Sequence, residues 1–300
     1  YVANDDIDGI INALGAGVPT RFTTMNAKSE DNSLAVGVKQ IYQGAWNPIS
    51  GFSDTYSNQI WLNLYDPAAF SHPFTGKTIP IRTNWQVENF GSDEKISVPE
   101  DAISWNIDTQ RWENVGAASE AISKITFDLT LGDWHHGKTM DMNDILYSLY
   151  FLQEWGSEFQ EGDNTYDSEY SPQAVQNAKT LVGIKPIDHD TVEVYVDYWH
   201  FDEAEIAAWG APWSSMPWEI VAASEDAVLD GKVSFSRSGG VNKSVNWLSL
   251  IVPNDANIIK EQLTEFKETK YIPASLQLSL IHISEPTRPR LISYAVFCLK

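Results

Sequence analysis

The sequence predicts an α/β fold, and three observations carry that reading. Residues 123–131 alternate apolar and polar side chains, residues 141–156 switch to a helical period, and 12 Trp, 12 Tyr and 12 Phe supply enough burial for a folded core. In the first run Ile125, Phe127, Leu129 and Leu131 interleave with Thr126, Asp128 and Thr130, the spacing of a half-buried strand. Gly132 and Gly137 then bracket a turn.

The helix that follows announces its own start. Asp141 precedes the helical repeat and Asp144 stands three positions later, a carboxylate version of the capping box. Both charges favour the positive end of the helix dipole. Ile145, Leu149 and Leu152 make one apolar stripe, while Tyr147, Phe151 and Trp155 make a second, aromatic one. Gly156 ends the run.

Charge narrows the class of partner. With 41 acidic against 20 basic residues the formal net charge is −21, which repels nucleic acid and anionic lipid headgroups. The aromatic content argues against an unfolded acidic chain. Length allows one large domain or two smaller ones, with no internal repeat, no low-complexity linker and no apolar run of membrane-spanning length. The single cysteine, Cys298, offers neither a disulfide nor a zinc site. No cofactor is expected.

The two ends read differently from the middle. Residues 278–300 contain Leu278-Ser279-Leu280-Ile281-His282-Ile283-Ser284-Glu285-Pro286-Thr287-Arg288, which looks like a translated sequencing adapter and is set aside from fold reasoning. Residues 1–37 match no recognisable pattern. No signal sequence is visible, and on the reading of a truncated gene that carries no information.

Several stretches together resemble the solute-binding proteins of family 5, the extracytoplasmic binders of the peptide and nickel ABC importers. Phe127, Leu129, Trp134, His136, Gly137, Lys138, Asp141, Asp144, Tyr147 and Ser148 match that family's signature. Upstream, Trp46-Asn47-Pro48 with Asp54, Ser57, Ile60 and Asn63-Leu64-Tyr65-Asp66 resembles its first strand end and first helix. Downstream, residues 183–196 resemble its charged-turn hairpin, and Met216-Pro217-Trp218 follows. The likeness covers about residues 38–235.

The resemblance implies a periplasmic-binding-protein-like fold of type II, truncated so that the second large lobe is missing. It assigns residues 38–58 and 182–277 to the first lobe and residues 59–181 to a small inserted domain. It also implies binding of a small peptide or similar solute by lobe closure, an ABC permease as partner, an extracytoplasmic location and no enzymatic activity. Two alternatives use the same residues: a secreted carbohydrate hydrolase with indole platforms and two carboxylates, and a surface sensor that kept the binding fold without a transporter.

Candidate ligand-binding residues are Trp46, Asn47, Tyr147, Trp209 and Trp213. Trp209-Gly210-Ala211-Pro212-Trp213 reads as a loop, where aromatic side chains face ligand more often than in a core. Tyr147 aligns with a ligand-contacting position of the family, and its stripe equally suits a second core face. His135 and His136 are adjacent and point to opposite faces of an extended segment, so they do not chelate one metal. Glu161, Asp163, Asn164, Asp167 and Glu169 read as a solvated acidic loop or, less simply, a calcium loop without EF-hand spacing. No metal site is expected.

Overall fold

The computed structural model of the chain describes residues 45–277, apart from 53, 63–65, 73 and 171. The N-terminal segment 1–37, residues 38–44, the adapter-like tail with Cys298, and Asn63, Leu64 and Tyr65 of the first-helix motif lie outside the described residues.

The chain mixes helix and strand, as the sequence predicts. Helix α1 (Thr55–Trp61) opens the described part, and Asp54 Oδ1 accepts the Ser57 amide at its start. Eight strands follow: β1 (Ala69–Ser71), β2 (Thr78–Pro80), β3 (Thr83–Asn89), β4 (Ile96–Ser97), β5 (Ile103–Asn106), β6 (Arg111–Asn114), β7 (Glu120–Ala121) and β8 (Ser123–Leu129). Helices α2 (Met142–Gly156) and α3 (Pro172–Thr180) lead to the hairpin of β9 (Leu181–Pro186) and β10 (Thr191–Val196). The rest is mostly helical: α4 (Glu203–Gly210), α5 (Trp218–Leu229), β11 (Val233–Ser234), α6 (Arg237–Lys243), β12 (Asn246–Trp247), α7 (Pro253–Thr269) and α8 (Ala274–Gln277).

Six strands form the main sheet in the order β3-β8-β10-β9-β5-β6, antiparallel at every pairing. Strand β8 sits inside it and pairs with β3 from Thr83↔Leu129 to Asn89↔Ser123, and with β10 from Thr191↔Asp128 to Val196↔Ser123. Its alternation therefore has two faces to fill. Ile125, Phe127 and Leu129 are buried on one face, with Val192, Val194 and Val196 of β10 beside them. On the other face Tyr195 packs with Val98, Ala102 and Ala121, and Lys124 bridges Glu88 and Glu193 at 2.9 Å each.

Residue 182, where the resemblance places the return from inserted domain to lobe, falls within β9. The sheet combines strands from both sides of that position, and one buried cluster runs from Ile49 to Leu276. Helix α4 lies close on this sheet because Gly210 has no side chain: a Cβ there would meet Ile125 Cδ1 at 3.0 Å.

Between β8 and α2 the chain folds as its residues dictate. Gly137 takes φ +81°, a region that glycine enters without steric cost, and Asp133 bridges Thr139 across the turn. Asp141 Oδ1 then accepts the Asn143 amide at 2.9 Å, and Asp144 Oδ2 accepts the Asp141 amide at 2.9 Å. The capping box is present as expected.

Helix α2 is covered on most sides, by α3, α5, α8 and β5. Both its stripes are buried except for the half-buried Leu152, and Phe151 and Trp155 meet Phe235 edge-on at 5.7 and 4.8 Å. Among the described residues no helix is long and apolar enough to cross a membrane.

Candidate functional site

One face of α2 supplies the floor of a cleft of ≈ 300 Å³. Asp144, Tyr147, Ser148, Phe151 and Leu152 line it, at the i, i+3, i+4, i+7, i+8 spacing that keeps side chains on one side of a helix. Its walls come mainly from the segment around Trp46, helix α1 through Trp61, and the loop from Ala211 to Trp218 at the start of α5, with Tyr170 and Val221 completing them.

The Trp46 wall is fixed by its neighbour. Asn47 is 1% exposed, and its amide group donates to the carbonyls of Phe235 at 2.9 Å and Leu248 at 3.0 Å. Its Oδ1 accepts the amides of Ile49 and Ser50 at 3.0 and 2.9 Å. Around it the backbone of Trp46 bonds to Ser249 Oγ and to the Leu250 amide. So Asn47 touches the cleft as a fastener, with its polar atoms turned to the backbone. Asn47→Ala is expected to lower stability by about 2–4 kcal/mol, since buried partners left unsatisfied cost about 1–3 kcal/mol each. Urea denaturation checks this, and a loss under about 0.5 kcal/mol would contradict the role.

Trp46 stands 5.2 Å from Trp61, with Phe52 5.9 Å from Trp61 behind the pair. On the opposite wall Trp213 is half-buried and its Nε1 donates to the Asp66 carbonyl at 2.9 Å. Trp218 tilts against Tyr147 at 6.0 Å, and its Nε1 is buried without a hydrogen-bond acceptor.

Tyr147 reaches from the cleft into the core behind it. The ring lines the cleft, but its hydroxyl is committed behind the wall, donating to Glu225 Oε2 at 2.5 Å. Tyr150 Oη and Trp155 Nε1 donate to Oε1 of the same carboxylate at 2.5 and 3.0 Å. Burial pushes the Glu225 carboxyl above its ordinary value, against the pull of these three hydrogen bonds. Burial and the adjacent Glu225 charge hold the Tyr147 phenol protonated well beyond its usual range.

Asp144 is the charged member of the lining, 1% exposed. It caps two helices. Besides its bond within α2, its Oδ1 accepts the Trp218 amide at 3.0 Å, at the start of a helix whose own N-cap, Pro217, provides no side-chain bond. Trp134 Nε1 reaches Oδ2 at 3.3 Å. This explains physically why Trp134, Asp141 and Asp144 share one short sequence pattern: the turn and both helix ends meet on one carboxylate.

Of the five candidate residues, Trp46, Asn47, Tyr147 and Trp213 line this cleft and Trp209 does not. The assumed loop begins only at Ala211, so Trp209 lies in the last turn of α4. There its ring stacks on Tyr198 at 4.1 Å, and its Nε1 donates to Thr180 Oγ1 at 2.8 Å. Trp61, Trp218 and Glu225 were missed. Glu225 carries a usable signal, since it interrupts the apolar series Val221, Ala222 and Val228 on one face of α5.

The acidic loop is used internally. Asp163 accepts the amides of Phe159 and Thr165, Asp167 that of Glu169, and Glu169 those of Arg237 and Ser238. Among the described residues Asp188, His189 and Asp190 form the one close group of three metal-ligating types, on the exposed hairpin turn. Comparison with protein-family models finds no match, and comparison with curated proteins finds none.

Proposed function

We propose that this chain is part of a solute-binding protein serving an ABC importer, of periplasmic-binding-protein-like type II fold, with a peptide as solute. The observation that supports it best is convergence. Trp46 with its neighbour Asn47, Tyr147 and Trp213 come from three well-separated parts of the sequence, and they meet at one aromatic-walled cleft floored by the helix that carries the family-like signature. Apolar walls with a few fixed polar groups are the usual make-up of a small-ligand site.

In this mechanism the ligand binds more tightly to a closed state, in which a second lobe covers the cleft, and the shift of population is what the membrane permease senses. The protein works outside the cytoplasm and transforms nothing. A carbohydrate hydrolase draws on the same half-buried indoles, but it calls for two carboxylates about 5–9.5 Å apart. Among the described lining residues Asp144 is the one carboxylate, and three donors hold it.

The test is thermal unfolding of the protein expressed from its intact gene, with a mixture of short peptides and, separately, of oligosaccharides. A peptide at 100 times its Kd is expected to stabilise it by about 2.7 kcal/mol. Stabilisation by oligosaccharides alone would remove the peptide reading.

A further inference from the structure

The carboxylate and the carboxamide of the lining, Asp144 and Asn47, are already engaged by the protein, and the Trp218 indole N–H is left as a donor without an acceptor. The Asp144 carboxylate takes the amides of Asp141 and Trp218 and the indole of Trp134. Asn47 spends both its amide donors and its oxygen on backbone groups, and Ser214 Oγ turns to the Met216 carbonyl at 2.6 Å. Most of what faces the space is ring and methylene, from Trp46, Trp61, Tyr147, Trp213 and Leu152, with serines as the smaller polar share.

Size adds a second constraint. A volume of ≈ 300 Å³ is at the lower end of the roughly 300–1,000 Å³ typical of ligand sites, so the cleft holds one side chain of a peptide and not the whole molecule.

We infer that this cleft is a selectivity pocket for an uncharged aromatic side chain. This rests on the peptide reading above. A phenylalanine ring entering the pocket exchanges water for indole and phenol faces, whereas an ammonium or carboxylate would lose its hydration and meet no unengaged counter-charge. The negative net charge of the chain pulls the other way for a lysine side chain, but at 0.15 M salt that field is screened within about 8 Å.

The experiment measures binding of trialanine and of peptides with Phe, Lys or Glu placed in turn at each of its positions, by calorimetry on the intact-gene protein at 0.15 M salt. Phe at one position is expected to bind roughly 10- to 100-fold more tightly than Ala there, as burial of a large apolar side chain implies, with Lys and Glu weaker than Ala. Lys equal to or better than Phe would overturn the inference in favour of a cation held over indole faces. Peptides that bind without side-chain preference would overturn it and leave the peptide reading standing, while no binding by any peptide would remove both.

To tie the preference to this cleft, Ser148→Glu places a carboxylate on the lining face of α2 with a good helix former. In that variant the Lys-to-Phe affinity ratio is expected to rise at least about tenfold through the new charge. An unchanged ratio would mean the preference lies elsewhere and would overturn the assignment.

Discussion

Glu225→Ala is expected to destabilise the protein by about 3–6 kcal/mol, the largest effect of any single side-chain truncation at the site. The carboxylate is 5% exposed and receives Tyr147 Oη, Tyr150 Oη and Trp155 Nε1. Truncation orphans three buried donors at about 1–3 kcal/mol each, with less than full additivity because they share one acceptor. Urea unfolding at constant m measures the loss. A change below about 1 kcal/mol would show that water or a neighbour satisfies those donors.

Acidity gives the same group a second signature. Burial raises its folded-state pKa above the ordinary 4.5, so between those two values the folded protein holds more protons than the unfolded one. Stability from this group is then greatest below the unfolded pKa and falls as pH rises through the folded one. Glu225→Gln removes that segment of the slope. The difference between the two stability–pH curves isolates Glu225 from the carboxylates whose pKa is lowered, such as Glu193 beside Lys124. Parallel curves would contradict the assignment.

Asp144→Ala is expected to cost about 3–4 kcal/mol. It removes the acceptor for the Asp141 and Trp218 amides and the Trp134 indole, and withdraws a negative charge from two helix N-termini. Asp144→Asn keeps an acceptor oxygen but sets an NH₂ against those donors, and should fall between alanine and wild type. Thermal and urea unfolding rank the three. A variant as stable as the parent would mean that the two helix ends are capped without this side chain.

The legible part of the fold is the part whose signals are local. Strand β8, the Gly137 turn and helix α2 were readable because alternation, a glycine and two capping carboxylates all act within a few residues of themselves. The hairpin of β9 and β10 was readable by likeness. The sheet order was not, since β9 joins β5 some 80 positions earlier through the single pair Ile103↔Ile184, and no local pattern encodes that.

The site divides the same way. Tyr147 became a candidate through the family resemblance, while the loss of its hydroxyl to Glu225 depends on a contact 78 residues away. Trp209 and Trp213 look equivalent in sequence, and only the exact end of α4 separates a stacked indole from a lining one. Asn47 lines the cleft with its polar atoms bonded to backbone, which its own sequence surroundings do not encode because two of the partners lie 188 and 201 residues downstream.

Those long spans set an order of assembly. During synthesis Trp46 leaves the ribosome about two hundred residues ahead of the carbonyls that anchor its neighbour. One side of the cavity thus stays unbuilt until nearly all the described chain has emerged, and its indoles are bare in the interval, when a growing polypeptide is most exposed to chaperones and to aggregation.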